Sequence, residues 1–194
     1  MHAMVKVKKL TIYQLALIGL MTAVTCILGP ASLALPFSPV PISFTNLAIY
    51  FTIFILGTKF GTISYLIYLL LGTVGLPVFS GFSGGLGKLV GPTGGYLIGF
   101  ILMALICGIF IERFPTKGIK DRAMQVLGMI LGTLVAYAFG TAWLAYMANM
   151  ALSAALAAGV IPFIPGDLAK IVITAAVGPE IRSTLVRTGL LESK

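Results

Sequence analysis

The chain has 194 residues, 59% of them hydrophobic and only 9% charged, with thirteen Lys and Arg against five Asp and Glu for a net charge of +8. A soluble domain carries roughly 25% charged residues, so a soluble enzyme and a nucleic-acid-binding domain are both excluded, and the basic excess reads as Lys- and Arg-rich loops on the cytoplasmic side of a membrane. A bilayer core of roughly 30 Å needs about 20 apolar residues per helical span. The length then supplies about six spans in a single domain, 1–194, with nothing left for a soluble catalytic unit.

Six apolar stretches predict transmembrane helices over about 10–28, 43–57, 61–75, 94–112, 122–149 and 167–187. The first follows the basic run MVKVKK and lacks a convincing small-residue cleavage site, so no cleavable signal peptide is expected. It places Ala16, Gly19 and Ala23 on one face, where small residues let helices approach closely in lipid. That face suits internal packing as well as a partner. The second stretch is short, and a tight turn at Lys59 and Gly61 is expected to lead into the third. Cys26 and Cys107 lie in separate apolar runs and read as small core residues, not as a disulfide or a metal site. The fifth stretch is long enough to tilt or to extend beyond the core. The sixth begins with Asp167 and Lys170 and contains Pro179, which is expected to bend or break it.

Charge tests this division. With a cytoplasmic N-terminus and six crossings, the inner segments carry Lys6, Lys8, Lys9, Lys59, Arg113, Lys117, Lys120, Arg122, Arg182, Arg187 and Lys194. Glu112, Asp121, Glu180 and Glu192 are also inside, which leaves Lys88, Lys170 and Asp167 as the outer charges. The bias favours both termini inside. The outer connections are apolar and irregular: PASLALPFSPVPISFTN holds four prolines, and eight of the 21 residues of GLPVFSGFSGGLGKLVGPTGG are glycine. Irregular backbone at membrane depth is tolerated where protein buries it or where it lines a wet cavity. Loops folded back over a ligand site are therefore expected, with ordinary exposed loops as the alternative.

Few motifs carry chemistry. GFSGGLGKLVG is not a Walker loop, because Phe82 stands six residues before Lys88 and Leu89 follows it. No HExxH or paired carboxylates occur, so the chain is not expected to be an enzyme and no cofactor or metal is implied. Asp167 and Lys170 are different. Asp167 suits the N-cap or first turn of span six, and Lys170 lies on the same face three residues on. A cap with a local ion pair explains the acid, but a cation in a first turn opposes the dipole, which points to a ligand. Lys88 adds a second cation, Ser83, Thr45, Asn46 and Tyr96 add neutral hydrogen-bonding groups, and Phe79 and Phe82 add apolar cover.

The strings GLPVFSGFSGGLGKLVGPTGGYLIGF (75–100), PVPISFTNL (39–47) and IPFIPGDLAK (161–170) closely resemble the BioY family, the biotin-binding S-components of energy-coupling factor (ECF) transporters. The likeness runs over nearly the whole chain in order and spacing. It implies an all-α integral membrane protein, a six-helix S-component-type bundle in the cell membrane with both termini cytoplasmic and outer loops over the site. It implies extracellular capture of biotin as cargo, not as a prosthetic group. The partners implied are a transmembrane coupling protein and two ABC-type ATPases. By position, Asp167 and Lys170 match the acid and base near the biotin head group, Tyr96 an aromatic of GPTGGY, and Ser83 a polar side chain reaching the ligand. The role of Lys88 as a carboxylate partner rests on its charge alone. The family's Ala-x-x-x-Ala docking face corresponds to Ala16, Gly19 and Ala23, with Gly19 replacing the first Ala of the motif. The alternative is a self-sufficient secondary transporter of a small vitamin-like solute, which the lack of an acid in the middle of any span disfavours. A membrane-embedded enzyme has still less to stand on.

Overall fold

The computed structural model describes residues 11–115 and 118–189. Lys6, Lys8, Lys9, Lys117, Glu192 and Lys194 of the charge count, and the placement of both termini, lie outside the described residues.

The described residues form seven helices and one small ribbon: α1 (Ile12–Leu28), β1 (Ser32–Leu33), β2 (Ile42–Ser43), α2 (Thr45–Thr73), α3 (Leu86–Leu89), α4 (Gly94–Arg113), α5 (Ile119–Met147), α6 (Leu152–Gly159) and α7 (Ile164–Arg187). The strands pair antiparallel, Ser32 with Ser43 and Leu33 with Ile42. By length and composition, α2, α4 and α5 can each cross a membrane, and a fourth span follows if α6 and α7, bent by 49°, count as one. Helix α1 is apolar but only 17 residues long. It starts on a capping box, Thr11 Oγ1 accepting from the Gln14 N–H at 3.2 Å while Gln14 Oε1 accepts from the Thr11 N–H at 3.1 Å.

Length alone counts α2 once, yet its two arms run back along each other. Gly57 breaks the helical path at φ 75° and ψ −177°, a left-handed conformation that glycine enters without steric cost. Beyond the break a Cβ added at Gly61 would come within 3.3 Å of the Ile53 Cα. At the far tips, Thr45 and Tyr68 meet in the wall of one cavity. The reversal thus sits at Gly57, before the expected turn at Lys59 and Gly61. Side chains from distant helices complete it: Glu112 Oε1 accepts from the Thr58 N–H at 2.9 Å, and Arg182 Nη1 donates to the Phe54 carbonyl at 2.9 Å. An acid at the start of one arm and a base at the end of the other both suit the helix dipole.

The core lies between the α2 hairpin, α4 and α5, around Tyr50, Ile53, Phe54, Tyr65, Met103 and Met129, all at most 1% exposed. Helices α4 and α5 approach closely because small residues face each other: a Cβ at Gly99 would lie 3.0 Å from the Ala136 Cα. The buried phenols are partnered, Tyr65 Oη donating to the Leu97 carbonyl at 2.8 Å and Tyr50 Oη meeting Thr133 Oγ1 at 2.6 Å. Cys26 and Cys107 are free thiols, half-buried and buried. Helix α7 continues through Pro179 as one helix, so the expected break is not there; the sharp bend falls at the junction with α6.

Candidate ligand-binding site

The site lies at the end of the bundle opposite the Gly57 turn. Helix α7 begins at Ile164, with Phe163 at the N-cap and Pro165 in the first turn, where its missing N–H costs nothing. Asp167 is therefore a first-turn residue and not the cap. Its carboxylate turns to other helices. Oδ1 accepts from Asn46 Nδ2 and from Lys170 Nζ, both at 2.8 Å, and Oδ2 accepts from Tyr137 Oη at 2.5 Å.

Lys170 spends its three donors in the same cluster, on the Asp167 carboxylate, on Asn46 Oδ1 at 3.0 Å and on the Ser43 carbonyl at 2.7 Å. Its ammonium also stands 5.7 Å from the Phe44 ring centre, within cation–π range. Asn46 bridges both charges, amide nitrogen to the acid and oxygen to the base, and its oxygen also accepts from the Leu47 N–H at 3.1 Å. The acid and base side chains are 10% and 7% exposed. Such burial is tolerated because both ions are paired and hydrogen-bonded, and removing either partner would strand a charge.

This cluster forms one wall of a cavity partly open to the outside, with the mixture of apolar walls and a few convergent polar groups that small-molecule sites use. Val40, Ile42, Leu97, Phe100 and Phe163 give it apolar walls, and Ser43, Thr45, Asn46, Tyr96 and Tyr137 give it polar edges. Tyr96 lines the cavity with its ring, but its hydroxyl donates to the Gly159 carbonyl at 2.8 Å, tying α4 to the end of α6. Thr45 is 2% exposed, and its Oγ1 accepts from Ser43 Oγ at 3.1 Å.

Four expected residues lie off the cavity wall. Ser83 closes a small hairpin with Phe79, and its Oγ donates to the Ser80 carbonyl at 2.8 Å; of the two, Ser80 is the one on the wall. Phe79 is fully buried, edge-on to Tyr68 at 5.6 Å and against Gly72. Phe82 caps the hairpin at φ 54° and is 74% exposed. Lys88 is half-buried on α3. Tyr137 was not foreseen, although Thr133, Tyr137 and Thr141, four apart, mark one polar face of an otherwise apolar span. Ala16, Gly19 and Ala23 are all exposed, and a Cβ at Gly19 would meet nothing within 4 Å.

An apolar helical bundle with one buried charged cluster lining a small-molecule cavity defines a solute-binding membrane protein. The chain belongs to the BioY family, whose sequence profile matches residues 3–187. It is 35% identical over 169 residues to the biotin transporter BioY of Thermotoga maritima, covering 87% of this chain and 95% of that one. It is 37% identical over 187 residues to the biotin transporter BioY of Rhizobium etli, covering 93% and 97%. Among solved structures it resembles the S-component for biotin from an ECF-type ABC transporter, with a TM-score of 0.80 and 31% identity over 88% of this chain and 90% of that one.

Proposed function

We propose that the chain is the substrate-binding membrane subunit of an ECF-type ATP-driven importer and that it captures biotin from the extracellular side. The observation that carries this reading is the Asp167–Lys170–Asn46 cluster, buried in the wall of the cavity of a chain whose relatives are named biotin transporters. A ureido group presents one carbonyl acceptor and two N–H donors. Asp167 and the Asn46 oxygen accept N–H groups, and Lys170 donates to the carbonyl. The carbonyl competes with Ser43 for the ammonium, which couples head-group binding to the loop that carries β2. Leu97, Phe100 and Phe163 cover the thioether ring and the alkyl chain. Lys88 pairs with the terminal carboxylate once α3 moves inward, since it is off the cavity wall in this structure.

The six crossings are α1, the two arms of α2, α4, α5 and α7, with both termini cytoplasmic. The gathering of Lys59, Arg113, Lys120, Arg122, Arg182 and Arg187 at or near the Gly57 end supports that orientation. The exposed Ala16, Gly19 and Ala23 face receives the coupling protein, which links the chain to two ATPases. Calorimetric titration of the purified protein against biotin and a panel of other vitamins tests the proposal. Biotin alone should bind tightly, and Asp167→Asn should weaken it by about 1.5–3 kcal/mol, the scale of a hydrogen bond to a charged group. Equal affinity for unrelated vitamins would refute the assignment.

A further inference from the structure

Between the Phe79–Ser83 hairpin and the start of α4 the chain leaves the cavity wall and returns to it: Ser80 and Thr93 line the cavity, and α3 with Lys88 stands off it. No residue of α3 is buried, and Leu86 at its start and Val90 just past its end are 66% and 58% exposed. A four-residue helix is too short to hold itself, so the anchors on either side set its place. On one side the Gly85 N–H donates to the Gly72 carbonyl of α2 at 2.7 Å. On the other, the Gly91 carbonyl accepts the indole N–H of Trp143 on α5 at 2.9 Å and the Gly94 N–H at 3.0 Å.

The GPTGGY string (91–96) is built around that indole. A Cβ at Gly94 would lie 3.2 Å from Trp143 Nε1 and clash with the Leu89 carbonyl, and one at Gly95 would lie 2.8 Å from Trp143 Cγ. Trp143 is the chain's single tryptophan. A tryptophan that served only the bilayer interface would turn its polar edge to the headgroups; this one turns it to a backbone carbonyl of the loop. We propose that Trp143 is a positioning residue for ligand retention: its indole N–H pins Gly91 and so fixes where α3 and Lys88 stand beside the cavity. The retention role rests on the reading of the cavity as a biotin site. Helix α5 then references both parts of that site, the buried carboxylate through Tyr137 and the loop through Trp143. Without the indole N–H the Gly91 carbonyl keeps its bond from Gly94, so α4 still starts in place while the loop ahead of it is freed.

The test compares full-length wild type with Trp143→Phe, which keeps an aromatic body against Gly95 and removes the N–H. In hydrogen exchange without ligand, the amides of Lys88, Val90 and Gly94, bonded to the Gly85, Leu86 and Gly91 carbonyls, should exchange about 3- to 10-fold faster in the variant, the scale of one neutral hydrogen bond. Those of Phe79 and Ser83, paired in the neighbouring hairpin, should not change. In stopped-flow measurements the variant should release biotin faster by a similar factor, with its association rate altered less than about twofold. Unchanged exchange at the three loop amides, equal acceleration in the hairpin, or an unchanged release rate would each overturn the proposal. A wild type that does not bind biotin would instead sink the proposed ligand, and the exchange comparison would still decide whether Trp143 holds the loop.

Discussion

The two ends of the bundle each carry an ion pair, and the pairs are built for different tasks. Arg122 and Glu180 meet at 2.6 Å with side chains 45% and 66% exposed; water solvates both, and such pairs are worth about 0–1 kcal/mol. Asp167 and Lys170 meet at 2.8 Å with side chains 10% and 7% exposed, and three further groups, Asn46, Tyr137 and the Ser43 carbonyl, fill the remaining bonds. The exposed pair tolerates loss because solvent replaces either partner. The buried one does not, because nothing else at hand is charged. A site that must hand its hydrogen bonds to an incoming solute needs the second kind.

Three sets of variants sharpen this contrast. Asp167→Ala or Lys170→Met, made singly, leaves an uncompensated buried charge and should cost about 3–5 kcal/mol in stability, read as a fall in thermal unfolding temperature. The double variant should recover most of that stability while binding of biotin stays lost. If the singles unfold like the wild type, the pair is not buried as described. Tyr137→Phe keeps the ring and removes one bond to the carboxylate, and is expected to lower affinity by about 1.5–3 kcal/mol. An unchanged titration curve would separate Tyr137 from the site. Arg122→Ala and Glu180→Gln should each shift stability by less than about 1 kcal/mol, and the shift should fade with added salt. A salt-independent loss there would erase the distinction between the two ends.

Several of these features can be read from the residues, and others depend on partners far along the chain. The six apolar stretches fall on helical segments of α1, α2, α4, α5 and α7, of which α2, α4 and α5 are each long and apolar enough to cross a membrane. The reversal inside α2 was displaced because Gly57 is held there by Glu112 and Arg182, 54 and 128 residues away from Thr58 and Phe54. Helix α7 starts at Ile164, three residues before the expected 167; Pro165, suited to a first helical turn, lies at that start and puts Asp167 inside the helix. Phe79 and Phe82 look alike in sequence. Only the turn between them, with positive φ at Gly81 and Phe82, sends one ring into the core and the other outward. Asn46 and Thr45 were recognisable as polar residues at the mouth of an apolar span, whereas Tyr137 needed the helical face it shares with Thr133.

The Gly57 reversal has a mechanical consequence at the opposite end. Because α2 doubles back, one tip of it carries the ribbon segment up to Ser43 and the other the hairpin of Phe79 and Ser83, which Tyr68 grips through the Val78 carbonyl at 3.0 Å. The two covers of the cavity therefore hang from the prongs of a single fork whose stem is clamped by Glu112 and Arg182. Both covers are thus anchored to one common base, not to two independent helices.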